Sequence, residues 1–134
     1  SKSLMPRVHF IGIGGVGMNG LAQLALHRHY QVTGSDRGYD PTQAPYLQLK
    51  QNGTTFFPQD GSGISPQTDI VVYSTAIEAD NPDLLAAKQH GVTILNRFGR
   101  EPQFLAKTAR VTDVCLIMLT DQLMLWNRKV WFDG

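Results

Sequence analysis

The chain has 134 residues, with 12 basic and 11 acidic side chains, a net charge of +1, and 42% hydrophobic against 17% charged residues. That length suits one domain with at most an appendage, and the near-neutral balance gives no footing for a nucleic-acid or anionic-membrane partner. The single cysteine, Cys115, excludes an internal disulfide framework and suits a reducing cytoplasm, and no run of about 18 apolar residues offers a membrane span.

Residues 1–6 read as a disordered start, with no signal peptide ahead of the first strand. Residues 8–20 then read V-H-F-I-G-I-G-G-V-G-M-N-G. The apolar run of Val8, Phe10 and Ile11 predicts a strand, and it breaks at a glycine cluster. Val16, Leu21, Leu24 and Ala25 recur at helical spacing and predict a helix over 16–29. Gly12, Gly14 and Gly17 thus fit G-x-G-x-x-G between a strand and a helix, the context that gives the motif its meaning. Gly12 permits the tight turn, Gly14 lets backbone approach a phosphate, and Gly17 lets helix and strand pack closely. A branched residue at Gly14 is therefore expected to abolish nucleotide binding and leave the sheet intact. His27 and His29, two apart, cannot share a helical face, and no metal site is expected from them.

Residues 31–35 (Q-V-T-G-S) read as the next strand, followed by Asp36 at the place where a nucleotide-binding α/β unit puts the acid that meets a ribose hydroxyl. A turn-rich stretch over 37–45 leads to a helix predicted over 45–51, ended by Asn52-Gly53. A strand over 54–57 and a loop over 58–67 follow. The strand over 69–73 (D-I-V-V-Y) is nearly continuous in apolar residues, as in a sheet covered on both faces. It empties into Ser74-Thr75-Ala76-Ile77. Asn81 then suits an N-cap, with Pro82 at the first helical position and Asp83 in the first turn of a helix over 82–90 that stops at Gly91. A strand over 92–95 and a helix over 100–107 complete the pattern.

Strand–helix alternation of this kind predicts an α/β fold, a three-layer sandwich with a mostly parallel sheet of about five strands and helices on both faces. Right-handed crossovers bring the strands' carboxyl ends to one edge. The 12–17 loop, the Ser35-Asp36 turn and the 74–77 loop should meet there, with Ser35, Ser74 and Thr75 supplying neutral donors for phosphate or sugar oxygens.

Several runs together resemble the Mur ligase family: H-F-I-G-I-G-G-V-G-M at 9–18, V-T-G-S-D at 32–36, V-V-Y-S-T-A-I at 71–77, D-N-P at 80–82 and G-V-T-I-L at 91–95. The likeness covers about residues 7–107. It implies a Rossmann-like first domain over 1–108 that binds the UDP part of a sugar nucleotide, not NAD. On that resemblance Gly12, Gly14, Gly15, Val16, Gly17 and Met18 would lie on the diphosphate, Ser35 and Asp36 near the uridine, and Ser74, Thr75 and Ala76 on the other side. The implied parent activity is the ATP-dependent joining of L-alanine to UDP-N-acetylmuramate in cytoplasmic peptidoglycan synthesis. A ligase that recycles murein tripeptide onto the same nucleotide is the alternative within the family.

The chain departs from that pattern at two places. Gln59-Asp60 stands where Gly-His is expected after the third strand. No G-x-x-x-x-G-K-[ST] occurs anywhere, and Lys107-Thr108 lacks the glycines of a phosphate loop. Neither ATP nor Mg²⁺ is therefore expected to bind this domain, no catalytic residue is assigned, and the chain alone is expected to be inactive. The tail, 109–134, does not resemble the family and carries Val111, Val114, Cys115, Met118, Leu119 and Gln122 at helical spacing, which suits a helix docking on the domain, a swapped element that would make a homo-oligomer, or an unnatural end. Two other classes remain open on the residues: an NAD(P)-dependent dehydrogenase and a non-catalytic nucleotide-binding regulatory module.

Overall fold

The computed structural model describes residues 5–74 and 76–96. In chain order they form β1 (Arg7–Ile11), α1 (Val16–His27), β2 (Gln31–Ser35), α2 (Ala44–Gln51), β3 (Thr55–Phe56), β4 (Ile70–Tyr73), α3 (Pro82–Gln89) and β5 (Thr93–Asn96). The five strands lie in the order β3-β2-β1-β4-β5, with each neighbouring pair parallel. The helix expected over 100–107, the tail over 109–134 and Thr75 lie outside the described residues.

Strand pleating sorts the core into two halves. Val8 and Phe10 of β1, Ile70 and Val72 of β4 and Leu95 of β5 pack with Met18, Leu21, Ala22 and Ala25 of α1 and Tyr46 and Leu49 of α2. On the opposite face Ile11, Val71 and Ile94 pack with Leu84 and Ala87 of α3. Helices therefore cover both faces, and the central strands are apolar on both sides because neither face meets water. Each fully buried side chain such as Phe10, Val71 or Val72 contributes about 1.5–3 kcal/mol over its exposed state. No helix among the described residues is long and apolar enough to cross a membrane.

The three helices end in the same way. Gly53 (φ 107°) and Gly91 (φ 67°) follow the last turns of α2 and α3. Thr54 N–H donates to Leu49 O at 3.0 Å, and Val92 N–H to Ala87 O at 2.9 Å. This is the Schellman stop, in which a left-handed residue turns the chain so that its successor reaches back five positions. The first helix makes the same bonds, Tyr30 N–H to Ala25 O at 3.0 Å and His29 N–H to Leu26 O at 2.9 Å. There the left-handed residue is His29, at φ 64°. The helix thus ends at His27, two residues earlier than the sequence predicts, because the stop is made without the glycine that would announce it. His29→Gly should raise unfolding free energy by about 0.5–1 kcal/mol, the steric relief outweighing the added freedom of the unfolded chain. Urea denaturation read by circular dichroism checks this, and an unchanged or lower midpoint contradicts it.

Candidate functional site

The glycine loop is tied down by its own backbone. Gly12 N–H and Ile13 N–H both donate to the carbonyl of Ser35, at 2.8 and 3.1 Å, and Gly15 N–H closes back on Gly12 O at 3.1 Å. Gly12 holds φ 75°, so the tight turn expected of it is present. The helix that follows starts on Gly15 with no side-chain cap and no acidic residue in its first turn. The N–H groups of Val16, Gly17 and Met18 are those that helix geometry leaves without an intrahelical acceptor. They carry the positive end of the α1 dipole. By contrast, Asn81 Oδ1 caps α3, accepting from Asp83 N–H at 2.9 Å and Leu84 N–H at 3.3 Å, as expected of it. The helix at the glycine loop is left open to an anion where α3 is closed.

Asp36 is placed beside this loop, but its carboxylate is engaged within the protein. Oδ2 accepts from Gly14 N–H at 2.7 Å, and Oδ1 accepts from Gly38 N–H at 2.8 Å. Tyr46 of α2 lies over the same glycine: a Cβ on Gly14 would sit 2.3 Å from its hydroxyl oxygen and 2.6 Å from Cζ. Burial raises the Tyr46 pKa, and the neighbouring Asp36 carboxylate raises it further by opposing a second negative charge. Tyr46 in turn meets Tyr39 edge-on, with ring centroids 5.2 Å apart, and Tyr39 lies 4.7 Å from Phe56. The space that a Gly14 side chain would take is thus occupied by an aromatic ring. A branched residue there, expected to spare the sheet, would also press on this ring of α2.

The structure does not bring the Ser35 hydroxyl to the ligand edge. Ser35 is wholly buried, and its Oγ donates to Asp83 Oδ2 at 2.6 Å and accepts from Gln59 Nε2 at 3.2 Å. Those bonds belong to a larger buried network. His9 Nε2 lies 3.0 Å from Asp83 Oδ2, and His9 Nδ1 lies 2.7 Å from Thr33 Oγ1. Gly61 N–H donates to Asp83 Oδ1 at 2.8 Å, and Asn81 Nδ2 donates to Gln59 Oε1 at 2.8 Å. The loop around Gly63 presses on this cluster so closely that a Cβ there would stand 2.6 Å from His9 Cε1. Gln59, read from sequence only as a departure from a family pattern, here joins β2 to the cap of α3.

Within the network Asp83 is wholly buried. Burial by itself raises its pKa. Hydrogen bonds from His9 and Ser35, the charge of His9 and the Gly61 N–H together outweigh that cost, and the pKa lies below its ordinary value.

The remaining expected residues divide. Gly15, Val16 and Ala76 are exposed at the carboxyl edge and Ser74 is half-buried there, with its carbonyl accepting from Ile77 N–H at 3.1 Å. Gly17 sits in the first turn of α1. Met18 turns inward and is core, 2% exposed, so only its backbone faces the helix start. Sequence reading assigned no role to Tyr46 or His9. The apolar–polar–apolar run Val8-His9-Phe10, with a titratable residue inside a buried strand, is the signal that could have flagged the last.

The family model described as "Mur ligase family, catalytic domain" matches residues 7–111. The UDP-N-acetylmuramate–L-alanine ligase of Sulfurihydrogenibium sp. is 42% identical over 91 residues, which cover 68% of this chain and 19% of that protein. Among solved structures, the UDP-N-acetylmuramate-alanine ligase of Thermotoga maritima superimposes with a TM-score of 0.60 at 29% identity, over 68% of this chain and 20% of that one. The UDP-N-acetylmuramate:L-alanyl-gamma-D-glutamyl-meso-diaminopimelate ligase from Neisseria meningitides gives the same TM-score at 26% identity, over 69% of this chain and 28% of that one. The chain thus spans about a fifth of the length of the curated relatives it matches.

Proposed function

The chain belongs to the Mur ligase family, and on that premise we propose that residues 7–96 form the part of a UDP-N-acetylmuramate–L-alanine ligase that binds the UDP end of its sugar nucleotide. The observation that carries the reading is the uncapped start of α1 at the end of β1, between β2 and β4. That is the point where strand order reverses, and ligands of open α/β sheets bind in the crevice it creates. The diphosphate would sit on the first-turn N–H groups of Val16, Gly17 and Met18, where the helix dipole favours negative charge.

The geometry refines the other assignments. Gly12, Gly14 and Gly15 shape the turn, and Gly14 N–H already holds the Asp36 carboxylate. Asp36 thereby orients the loop, and the uridine would meet the exposed turn beyond it. Ser35 acts through its carbonyl, which anchors Gly12 and Ile13. Ser74, Thr75 and Ala76 would close the opposite wall. ATP, Mg²⁺ and the L-alanine that is joined are assigned to other parts of such a ligase, since the 134 residues hold no phosphate-loop motif. A cytoplasmic setting goes with this role.

Calorimetric titration of the full chain with UDP-N-acetylmuramate, UDP and NAD tests the proposal. Both uridine nucleotides should bind more tightly than NAD. Equal or tighter binding of NAD would move the chain to the dinucleotide-binding class.

A further inference from the structure

Two charged side chains bridge the crevice, one of them, Arg37, on the turn beyond Asp36 that the uridine would meet. Arg37 follows Asp36 in the turn after β2, and Glu78 lies in the loop between β4 and α3. The Arg37 Nη2 group donates to Glu78 Oε1 across 41 positions of sequence. Each parent loop also touches the glycine loop. Asp36 Oδ2 accepts from Gly14 N–H at 2.7 Å, and a Cβ on Gly12 would lie 3.7 Å from Ile77 Cδ1. The ion pair therefore crosses the end of β1, beside the open start of α1. Its side chains are 63% and 41% exposed, so an incoming solute can reach both. The hydrogen bond and charge of Glu78 raise the Arg37 pKa, and the same contact lowers that of Glu78.

An exposed pair of this kind adds little net stability, so it opens at small cost. A guanidinium binds a phosphate through two parallel charge-assisted bonds, more strongly than it holds a single carboxylate oxygen. A carboxylate beside an anion seat would otherwise only repel the ligand.

We propose that Arg37 and Glu78 form a latch across the crevice, in which Arg37 turns from Glu78 to the diphosphate of the bound nucleotide while Glu78 competes for it in the free protein. This rests on the nucleotide reading given above. The latch makes Arg37 a ligand-binding residue and Glu78 a brake on affinity.

The test is titration calorimetry of the full chain at low salt with two probes, UDP and inorganic pyrophosphate. Arg37→Gln should weaken binding of both by about tenfold, the scale of one lost charge-assisted contact. Glu78→Gln should tighten both by about three- to fivefold, as a surface competitor is removed. That gain should shrink when Arg37 is already Gln, because the competitor then holds nothing. No gain from Glu78→Gln, or the same gain in both backgrounds, overturns the latch. If pyrophosphate shows the full pattern and UDP binds no better than pyrophosphate, the latch stands and the uridine reading falls. If UDP binds well and the variants match wild type, the uridine reading stands and the latch falls. Binding of neither probe by any variant defeats both.

Discussion

Asp83→Ala should lower unfolding free energy by about 3–5 kcal/mol, the penalty for removing one partner of a buried ionic network. The carboxylate answers three donors at once: His9 Nε2, Ser35 Oγ and Gly61 N–H. Its removal strands all three away from water, and a buried group without a partner bears its full desolvation penalty. Asp83→Asn should cost less, since an amide oxygen still accepts from two of them. The network also predicts a pH dependence with a definite sign. The Asp83 pKa is lowered in the folded chain, so the stabilisation is present above the unfolded carboxyl value, about 3.9. It is lost as pH falls through the lower folded value. Urea melts between pH 6 and pH 2.5 should therefore show wild type losing more stability on acidification than Asp83→Asn. Parallel curves for the two proteins, or a cost below about 1 kcal/mol for Asp83→Ala, would mean that the network is not held as described.

Gly14→Val should abolish binding of UDP and also lower unfolding free energy by about 1–3 kcal/mol, as overpacking does. The added Cβ would meet the Tyr46 ring at 2.3–2.7 Å. Tyr46 is itself 8% exposed and packs against Tyr39 and Phe56, so moving the ring disturbs both contacts. Its displacement would drag on Asp36 and, through the bond to Gly14 N–H, on the turn that aims α1. A double-mutant cycle isolates the cause: Gly14→Val should cost much less stability once Tyr46 is Leu, because contacting residues couple. UDP binding should stay lost in the double variant, since the branched side chain still stands at the helix start. Additive stability effects would show that the ring is not what excludes a side chain at Gly14, and recovered binding would place the diphosphate elsewhere.

Gly34 in β2 repeats the lesson about small residues. A Cβ there would stand 2.5 Å from Ile13 Cδ1, so the glycine in V-T-G-S makes room for a fully buried isoleucine.

Up to β5, the order of elements, the parallel sheet, the turn at Gly12 and the cap at Asn81 are legible in the sequence. These follow from short-range patterns. Apolar periodicity separates strand from helix within a few residues, and a cap needs only the N–H groups of Asp83 and Leu84 next to Asn81. The α1 end was less legible, because His29 takes the left-handed conformation that glycine normally signals. The fate of individual polar side chains was decided only by tertiary structure. Ser35 and Asp36 stand where a ligand contact is expected, yet one hydroxyl is claimed by Asp83, 48 positions on, and one carboxylate by Gly14, 22 positions back. His9 meets Asp83 across 74 positions and Arg37 meets Glu78 across 41. A polar group, above all a buried one, takes whatever partner the packed fold brings within about 3 Å. No local pattern in the chain encodes which partner that will be.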